Sequence, residues 1–517
     1  MPKFDNPDVI ITDVLAGHGK WRGPKTAITC GDRRLTWAEF DRRINQVAQG
    51  LLSLGLQKGD KVSMLMSNRL EMPEIIFGAM RAGGVIVPLS VLVMGDALAR
   101  MVQDSDSHFL FVSPEGRELL EDYRGQFKKI SPAGFFLVGG EAPGWRDYDV
   151  FLADASDQNP GVKLTYEDPI NIMYTSGTTG TPKGILHSHH NRTHFAASFA
   201  LDFKVDSGSK VIVTTSLYAN GTWLMFLPVL FAGGSLVIMR KFSPPRFMEL
   251  VAQERCTHTF MVPTQFQMVL EDPEFGRFDL SSMEVWLSAG SPFRSTVKRA
   301  VLEEFPGKLV ELWGLTEGVA TTLKPEDMAW KTESVGIPLV GWDVKIIDDA
   351  GNELPWGRSG EIAAHSAFLM PEYYKLPEKT EEAIWQDLTG KTYLRTGDMG
   401  RLDEDGYLYI LDRKKDMIIS GGINIYASDL EEILCQHPAV ADSAVIGLPH
   451  DKWGETPMAL VIARPDNQLA PEELMAWVNE RLAKYQRLTK LVYYPGDFPR
   501  NALGKILKRE LREELGK

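Results

Sequence analysis

A short segment rich in glycine and hydroxyl side chains carries the strongest chemical signal in the chain. Residues 175–184 read TSGTTGTPKG and follow residues 170–174 (INIMY), a mostly apolar segment. The glycines allow the backbone to approach a ligand closely. Hydroxyl groups and exposed backbone amides can surround an anion, and Lys183 adds a positive charge. The segment therefore predicts a polyphosphate site at the end of a strand, although it lacks the Gly-x4-Gly-Lys-Ser/Thr spacing of a Walker A loop.

Four further segments, in chain order, contain residues suited to binding a nucleotide. They are residues 287–292 (LSAGSP), 311–317 (ELWGLTE), 396–398 (TGD) and 499–506 (PRNALGKI). Each of them alone is weak evidence, because a strand ending in Trp-Gly is commonly part of a core and Thr-Gly-Asp is commonly a turn. The number of these segments and their order along the chain make the set stronger evidence for a nucleotide site than any one segment.

The side chains in these segments have chemistry that suits the parts of a nucleotide. Trp313 offers a broad aromatic face on which a base can stack. Glu317 is a hard oxygen ligand of the kind that Mg²⁺ prefers. The carboxylate of Asp398 can accept hydrogen bonds from both hydroxyls of a ribose, and Lys505 is a cation that follows a glycine near the end of the chain.

Taken together, the five segments resemble the adenylate-forming superfamily of acyl-CoA ligases, peptide-synthetase adenylation domains and beetle luciferases. The resemblance spans almost the whole chain and implies an AMP-forming acid–CoA ligase. Such an enzyme uses ATP and Mg²⁺ to convert a carboxylic acid into an acyl-adenylate with release of pyrophosphate. The thiol of coenzyme A then takes the acyl group and AMP leaves. This chemistry needs no protein nucleophile.

The resemblance also implies roles for individual residues. Lys505 is the expected catalytic lysine and Thr316 the expected α-phosphate contact, while Glu317 and Thr175 are the expected magnesium ligands. The expected ATP and AMP site comprises Thr175, Ser176, Gly177, Thr178, Thr179, Gly180, Lys183, Ala289, Gly290, Ser291, Glu311, Leu312, Trp313, Gly314, Thr316, Asp398, Arg413 and Lys505.

The second half-reaction is expected to require a rotation of the C-terminal domain about a hinge at Lys415. Ser420, Gly421 and Gly422 would then line the tunnel for the pantetheine arm of coenzyme A. The expected acyl pocket is lined mostly by small residues, namely Ala219, Asn220, Ala289, Gly314 and Val319. Many CoA ligases have histidine or an aromatic residue where this chain has Ala219, and tyrosine where it has Trp313. Medium-chain, branched and aryl acids all fit this description.

Three other functions compete with this interpretation. A stand-alone adenylation enzyme would load a carrier protein, but residues 216–221 lack the acid that amino-acid-specific forms need, and no fused carrier domain is expected after Lys505. A luciferase-like oxygenase would rest on the fold alone. A non-catalytic nucleotide-binding protein is disfavoured by the presence of Glu317, Asp398 and Lys505 together.

The bulk composition limits the remaining possibilities. The 517 residues suffice for about three domains, and a net charge of −13 argues against nucleic acid as a partner. The three cysteines lie far apart, which predicts free thiols and a cytoplasmic location.

The sequence starts without the apolar region of a signal peptide. The uncharged residues 211–239 are interrupted by polar residues, Pro228 and a Gly-Gly pair, so they predict buried helix, turn and strand instead of a membrane span. Oligomeric state stays open.

A cluster of histidines offers a second possible site. His187, His189, His190 and His194 are four of the chain's ten histidines. On a helix, His187, His190 and His194 would share one face and could ligate zinc. Family members often have a histidine at the start of the helix after the phosphate loop, so we favour ordinary helix residues over a metal site.

The elements that must position these residues follow an α/β rhythm. Thr36 and Glu39 form a capping-box pattern before the apolar positions 40, 44, 47, 51 and 54, and Gly55 can end that helix. A strand at 62–66, a helix through 75–80 and a strand at 85–87 follow. This alternation predicts a mostly parallel sheet covered on both faces, continuing to about Leu312.

The pattern changes after this point. Residues 335–411 have short strands and turn signals, which predict a β-rich subdomain. The predicted fold class is α/β: a large N-terminal domain of parallel α/β sheets with a β-rich subdomain, then a small mobile α+β C-terminal domain. The predicted boundaries are 1–412 for the N-terminal domain, 413–416 for the hinge and 417–517 for the C-terminal domain.

Overall fold

The chain folds into two compact units. The computed structural model describes residues 7–175, 183–421, 423–465, 469–500 and 504–515. The first unit comprises Met1–Glu326, Pro338–Trp342 and Ser366–Ala383, and the second comprises Asp327–Ile337, Asp343–His365 and Ile384–Lys517. The β-rich segments are therefore grouped with the C-terminal residues. The boundaries at 412 and 417 drawn from the sequence stay predictions.

The α-helices are α1 (Ile11–Trp21), α2 (Trp37–Ser53), α3 (Glu71–Arg81), α4 (Gly95–Asp104), α5 (Pro114–Leu120), α6 (Tyr148–Ala153), α7 (His189–Asp202), α8 (Trp223–Ala232), α9 (Pro244–Glu254), α10 (Pro263–Leu270), α11 (Ser295–Glu304), α12 (Pro325–Met328), α13 (Pro377–Glu382), α14 (Ala427–Cys435), α15 (Pro471–Asn479) and α16 (Lys508–Leu515).

The strands are β1 (Thr26–Cys30), β2 (Arg33–Thr36), β3 (Lys61–Leu65), β4 (Val85–Leu89), β5 (Ser107–Val112), β6 (Phe135–Leu137), β7 (Arg146–Asp147), β8 (Pro169–Thr175), β9 (Lys183–Ser188), β10 (Lys210–Val213), β11 (Ser235–Ile238), β12 (His258–Met261), β13 (Val285–Ser288), β14 (Lys308–Leu315), β15 (Val319–Leu323), β16 (Ile337–Pro338), β17 (Asp343–Ile347), β18 (Gly360–His365), β19 (Glu372–Tyr373), β20 (Ile384–Gln386), β21 (Thr392–Leu402), β22 (Leu408–Arg413), β23 (Ile418–Ser420), β24 (Ile423–Ile425), β25 (Val440–His450), β26 (Gly454–Ala463) and β27 (Lys490–Tyr493).

Two mostly parallel sheets form the frame of the first unit. One has the strand order β15-β14-β13-β12-β10-β11-β1-β2 and the other has the order β19-β9-β8-β4-β3-β5-β6-β7. Neighbouring strands from β14 to β11, and from β8 to β5, run parallel. Because parallel strands are joined through helices, their ends leave loops along one edge where ligands can bind. The predicted parallel α/β architecture is confirmed.

Two smaller sheets belong to the second unit. The first runs β17-β18-β21-β20 with β22 also paired to β21, and all of these pairs are antiparallel. The second runs β24-β23-β26-β25, with β27 added in parallel to β26. The first sheet confirms the β-rich segment that short strands and turn signals predicted after residue 335.

Local sequence patterns predicted several elements to within one or two residues. The hydroxyl of Thr36 accepts a hydrogen bond from the Glu39 amide, and the Glu39 carboxylate accepts one from the Thr36 amide, so the capping box is present. The helix ends at Ser53, and Gly55 has φ +93°, a conformation that favours glycine. The uncharged residues 211–239 form buried strand, helix and strand. No helix in the described part of the chain is long and apolar enough to cross a membrane.

The helical arrangement considered for the histidine cluster is wrong at one position. His187 lies on β9 opposite Asn171 of β8, and α7 begins only at His189. Strand pairing continues to Ser188, whose hydroxyl then accepts from the Asn191 amide and caps the helix. His190 and His194 do share a helix face, with ring centroids 4.3 Å apart. Among the described residues, no group of three or more His, Cys, Asp or Glu side chains could hold a metal ion.

A buried carboxylate ties three helices of the first unit together. Glu74 on α3 is fully buried and forms an ion pair with Arg43 on α2. The Tyr148 hydroxyl, at the start of α6, donates to the same carboxylate at 2.8 Å. Burial raises the pKa of Glu74, while Arg43 and Tyr148 oppose that rise. Arg43 thus compensates a charge that would otherwise be costly inside the protein.

Arg43→Ala should lower the free energy of unfolding by about 3–5 kcal/mol, because it leaves a buried carboxylate without its cation. The folded variant would then bind a proton at Glu74 that the unfolded chain does not. The loss should therefore shrink as the pH falls towards 5. Thermal unfolding at pH 5 and pH 8 measures both effects. Arg42→Ala, at an exposed position on the same helix, is the matched control, and equal shifts in the two variants would contradict the assignment.

Candidate active site

The two ends of the predicted phosphate loop lie directly opposite each other. Thr175 and Lys183 are paired residues on the antiparallel strands β8 and β9. Ser176, Gly177, Thr178, Thr179 and Gly180 lie outside the described residues. The strand pairing therefore fixes where the loop leaves the sheet and where it returns.

Tyr373 joins Lys183 to Glu317. The Lys183 Nζ lies 4.2 Å from the centroid of the Tyr373 ring, and the Tyr373 hydroxyl donates to Glu317 Oε1 at 2.8 Å. The sequence prediction did not include Tyr373, because only the pairing of β19 with β9 brings it to this place. The contact places a carboxylate suited to Mg²⁺ near the end of the phosphate loop.

The segment that carries Thr316 and Glu317 is held by its backbone. The Thr316 carbonyl accepts from His187 Nε2 at 2.8 Å, and the Glu317 carbonyl accepts from the Met370 amide at 2.8 Å. The Gly318 carbonyl accepts from the Ser366 hydroxyl at 2.5 Å. Three contacts on successive carbonyls leave this turn little freedom, so the side chains of Thr316 and Glu317 start from a fixed backbone.

Gly314 must be glycine for steric reasons. It lies on β14 opposite Ala320 of β15. A Cβ at this position would lie 2.5 Å from the Val319 carbonyl oxygen and 3.0 Å from the Ala320 Cβ. The structure therefore brings Gly314 and Val319, two residues predicted for the acyl pocket, close together.

The predicted adenine side is built by two parallel strands. Ser288, the last residue of β13, pairs with Glu311 of β14. The next residues of the two segments, Ala289 and Leu312, therefore follow directly after paired positions. Ala289 and Leu312 are buried and Trp313 is half-buried. Gly290 is exposed with φ +95°, and Ser291 follows it half-buried. The predicted residues of this side are thus assembled on one edge of the sheet.

The carboxylate of Glu311 is engaged within the protein. Lys298 on α11 lies 2.5 Å from it, and both side chains are buried. Burial raises the pKa of Glu311, and the charge of Lys298 opposes the rise. The side chain of Glu311, predicted to contact the nucleotide, thus already has a buried ionic partner.

Asp398, Arg413 and Lys505 are brought together in the second unit. Asp398 on β21 lies opposite Arg413 on β22, with 2.5 Å between Oδ1 and Nε, and Asp398 is only 3% exposed. Burial lowers the pKa of Lys505 to about 8. This pKa is the net result of burial, which is the largest cause, of the charge of Arg413, which also lowers the pKa, and of Asp398 and Asp416, which raise it. The lysine is therefore close to a small cluster of mixed charge.

The predicted hinge is a hydrogen-bonded turn. The amides of Asp416 and Met417 both donate to the Arg413 carbonyl, at 2.9 and 3.0 Å. Lys415 is exposed on this turn. Asp416 is buried, and Arg413, Lys414 and Met417 are half-buried. Hinge motions use a few positions of this kind, at the end of an element, that absorb changes in φ and ψ.

The predicted CoA-tunnel residues lie at the end of β23. Ser420 is half-buried, and the Gly421 amide donates to the Trp453 carbonyl at 2.7 Å. Gly421 has φ +58°, and a Cβ there would lie 2.9 Å from the Trp453 ring, so only glycine fits. Gly422 lies outside the described residues.

The segment predicted to line the acyl pocket contacts an arginine that the sequence prediction missed. Ala219 and Asn220 are half-buried at the start of a short 3₁₀ turn, Asn220–Thr222. The Asn220 Oδ1 accepts from Arg192 Nη2 at 2.8 Å. No local spacing indicates this contact, which joins α7 to the segment after β10.

Comparison with known proteins agrees with this geometry. A family model described as AMP-binding enzyme matches residues 18–374, and one described as AMP-binding enzyme C-terminal domain matches residues 429–505. The chain belongs to the AMP-binding enzyme family. The predicted membership in the adenylate-forming superfamily is thereby confirmed.

Individual relatives of this AMP-binding enzyme cover nearly its full length. Feruloyl-CoA synthase of Amycolatopsis sp is 32% identical over 495 residues, which cover 95% of this chain and 96% of the relative. The fatty acid–[acyl-carrier-protein] ligase ScoC of Streptomyces coeruleorubidus is 31% identical over 530 residues, covering 100% and 98%. The crystal structure of the anthranilate CoA ligase AuaEII with anthranoyl-AMP has a TM-score of 0.89 at 25% identity, covering 99% and 98%. The α/β fold class predicted from the sequence is confirmed.

Lys505 of this AMP-binding enzyme should titrate with a midpoint of about 8, because burial disfavours its charged form. Competitive labelling with an amine-acylating reagent across pH 6–11, read by mass spectrometry, measures the midpoint. Asp398→Asn should lower it further, since the mutation removes an anion that favours the cation. Lys508 is a control in the same unit: burial lowers its pKa, but Glu431 and Asp412 raise it above the ordinary value. A Lys505 midpoint of about 10.4, like that of exposed lysines, would contradict the prediction.

Proposed function

We propose that this enzyme activates a carboxylic acid with ATP and transfers the acyl group to coenzyme A. The class of AMP-forming acid–thiol ligase, predicted from the sequence, is confirmed by the relatives. The site assignments are our proposal, and one observation carries them most strongly. Lys505, Asp398 and Arg413 come from three separate segments, and the fold brings them together.

In the first step, an oxygen of the carboxylate attacks the α-phosphorus and pyrophosphate leaves. Lys505, as a cation, would contact the carboxylate and the α-phosphate and reduce the repulsion between the two anions. Asp398 and Arg413 would hold the ribose, and Trp313 would stack on the adenine. Holding the two reactants in line contributes much of the rate.

The phosphates need further neutralisation, which Lys183, Thr175 and a magnesium ion would provide. Mg²⁺ binds through one or two carboxylates together with substrate phosphates and water. Glu317 fits this need, because Tyr373 donates to one of its oxygens and no described side chain bonds to the other. The Thr175 hydroxyl, next to the loop, would be a second oxygen donor. When bound, Mg²⁺ would neutralise charge on the phosphate oxygens.

In the second step, the thiol of coenzyme A attacks the acyl carbon and AMP leaves. Lys505 would have to move away from the acyl-adenylate, and we propose that the turn containing Lys415 permits this rotation. Ser420, Gly421 and Gly422 would then line the tunnel for the pantetheine arm. Small residues suit this role because a narrow chain must pass.

The pocket residues and the relatives support a broad class of carboxylic acids as the substrate. Ala219, Asn220, Ala289, Gly314 and Val319 are mostly small, so the pocket would have room for a medium-chain, branched or aryl acid. An aryl acid has the added support that feruloyl-CoA synthase and an anthranilate CoA ligase are similar over nearly the whole chain. A cytoplasmic location and the absence of a nucleic-acid partner are part of the proposal.

A carrier protein is the second candidate for the acceptor. The observation in its favour is the similarity to ScoC, a ligase that acts on an acyl-carrier protein, over 100% of this chain. The two acceptors share the pantetheine arm, so the tunnel residues would serve either. Purified holo-acyl-carrier protein must therefore be compared directly with free coenzyme A.

Wild-type enzyme with ATP, Mg²⁺ and a panel of acids should show acid-dependent ATP–pyrophosphate exchange, and CoA-dependent AMP formation for the same acids. Lys505→Ala should reduce the exchange rate by about 10²–10³-fold, because it removes a charged contact made chiefly in the transition state. Lys490→Ala, at an exposed position in the same unit, is the control. Exchange near the wild-type rate in Lys505→Ala would contradict the role of Lys505. AMP formation with holo-carrier protein but not with coenzyme A would favour the second candidate.

Ala219→Phe should penalise long and bulky acids far more than acetate or propionate. If this side chain faces the acyl tunnel, phenylalanine removes volume there, and each methylene of fit is worth about 1–3 kcal/mol. The loss should appear in kcat/KM for the acid, while KM for ATP changes little. A uniform decrease for all acids, with a lower melting temperature, would show that residue 219 only packs beneath the loop.

A further inference from the structure

Arg192 is a buried cation whose contacts, among the described residues, are to neutral groups. It is 1% exposed on α7. Its Nε donates to Asn171 Oδ1 at 2.7 Å, and its Nη2 lies 3.2 Å from His187 Nδ1 and 2.8 Å from Asn220 Oδ1. Within the described residues, no Asp or Glu forms a salt bridge with it. Burial lowers the pKa of Arg192 to about 9.

Two aromatic rings complete the surroundings of this guanidinium. Its central carbon lies 4.8 Å from the ring centroid of Trp223 and 5.2 Å from that of Phe195. Ring faces attract cations, most strongly when water is excluded. Amides and ring faces together still compensate a buried charge less well than a carboxylate would. The interior around α7 therefore has an excess of positive potential.

The neighbouring histidine cannot share the positive charge. His187 Nε2 lies 2.8 Å from the Thr316 carbonyl, so this nitrogen must carry the hydrogen. Its Nδ1 then accepts from Arg192 and from Asn171 Nδ2. Burial lowers the pKa of His187 well below its ordinary value, and the charge of Arg192 lowers it further. The histidine is neutral, and Arg192 is the charged member of the network.

Arg192 determines which end of Asn220 is available to a ligand. Arginine has only donors, so the oxygen of the Asn220 amide must face it and the Nδ2 group must point elsewhere. No acceptor within the described residues takes the two hydrogens of this Nδ2. Asn220 is half-buried and follows Ala219 directly. The segment thus presents a fixed donor, with a cation behind it, at the place proposed for the acyl pocket.

We infer that Arg192 and Asn220 select carboxylic acids that carry a second oxygen acceptor, such as a hydroxyl, ether, carbonyl or carboxylate, remote from the reacting carboxylate. Asn220 Nδ2 would donate to that oxygen, and Arg192 would be a positioning residue that orients the amide and favours an electron-rich partner. A hydrocarbon acid in the same place would exclude water from this half-buried donor without pairing it, which disfavours its binding. The inference rests on the proposed function, because it takes this segment as part of the acyl pocket.

Pairs of acids matched in size test the inference. Suitable pairs are 3-(4-hydroxyphenyl)propionate with 3-phenylpropionate, and 6-oxoheptanoate with heptanoate. For wild-type enzyme, kcat/KM in CoA-dependent AMP formation should be higher for the oxygenated member of at least one pair. Asn220→Asp is nearly isosteric and should fold, since its carboxylate can pair with Arg192. It replaces the donor with an acceptor, so the preference should fall by about tenfold to a hundredfold. Asn220→Leu should also abolish the preference.

Phe195→Leu is the matched control, because Phe195 contacts the Arg192 guanidinium without a hydrogen bond. It should lower the melting temperature and leave the ratio between paired acids unchanged. If Asn220→Asp lowers kcat/KM equally for both members of every pair, the inference is wrong and the proposed function stands. The network around Arg192 would then only support the backbone of Thr316 through His187. A wild-type enzyme that prefers the hydrocarbon members would also overturn it. Failure of every acid to support AMP formation would instead overturn the proposed function itself.

Discussion

The antiparallel pairing of β8 with β9 is the constraint on which the candidate site of the first unit depends. It sets Thr175 opposite Lys183 at the mouth of the phosphate loop and, further along, Asn171 opposite His187. Strand β8 is also paired in parallel with β4, which anchors the hairpin to the sheet. On its other side, β9 pairs with β19 and brings Tyr373 beside Lys183. One hairpin thus positions the loop, the carboxylate partner and the buried histidine.

The pairing of β21 with β22 has the same function in the second unit. It sets Asp398 against Arg413 and fixes one anion and one cation near Lys505. The two charges act on the lysine in opposite directions, and burial decides the outcome by favouring its neutral form. A phosphate or carboxylate arriving beside Lys505 would favour the cation again. The lysine would therefore be most fully charged when an anionic substrate is present.

The sequence predicted what local patterns encode. The capping box of α2 and the parallel strands β3 and β4 are specified by residues close in the chain. Tyr373, Lys298 and Arg192 could not be found in this way, because pairing between distant strands and helices brings them to the site. His187 shows the opposite failure: its spacing fits a helix, yet its pairing with Asn171 keeps it on a strand. Residue spacing alone cannot decide between a helix and a strand at such a position, because pairing with a neighbouring strand can keep the residue on a strand.

The network around Arg192 shows how one buried charge can fix the orientation of several neutral groups. The amides of Asn171 and Asn220 and the ring of His187 come from three different segments, and each must turn an acceptor towards the guanidinium. His187 has one donor left, which it uses on the carbonyl of Thr316. Because the Asn220 oxygen accepts from Arg192, the Nδ2 group, a donor, is what the Asn220 amide can offer to a ligand. A neutral apolar residue at position 192 would pack without this requirement and would leave the Asn220 amide free to rotate, so the direction of that donor depends on the charge.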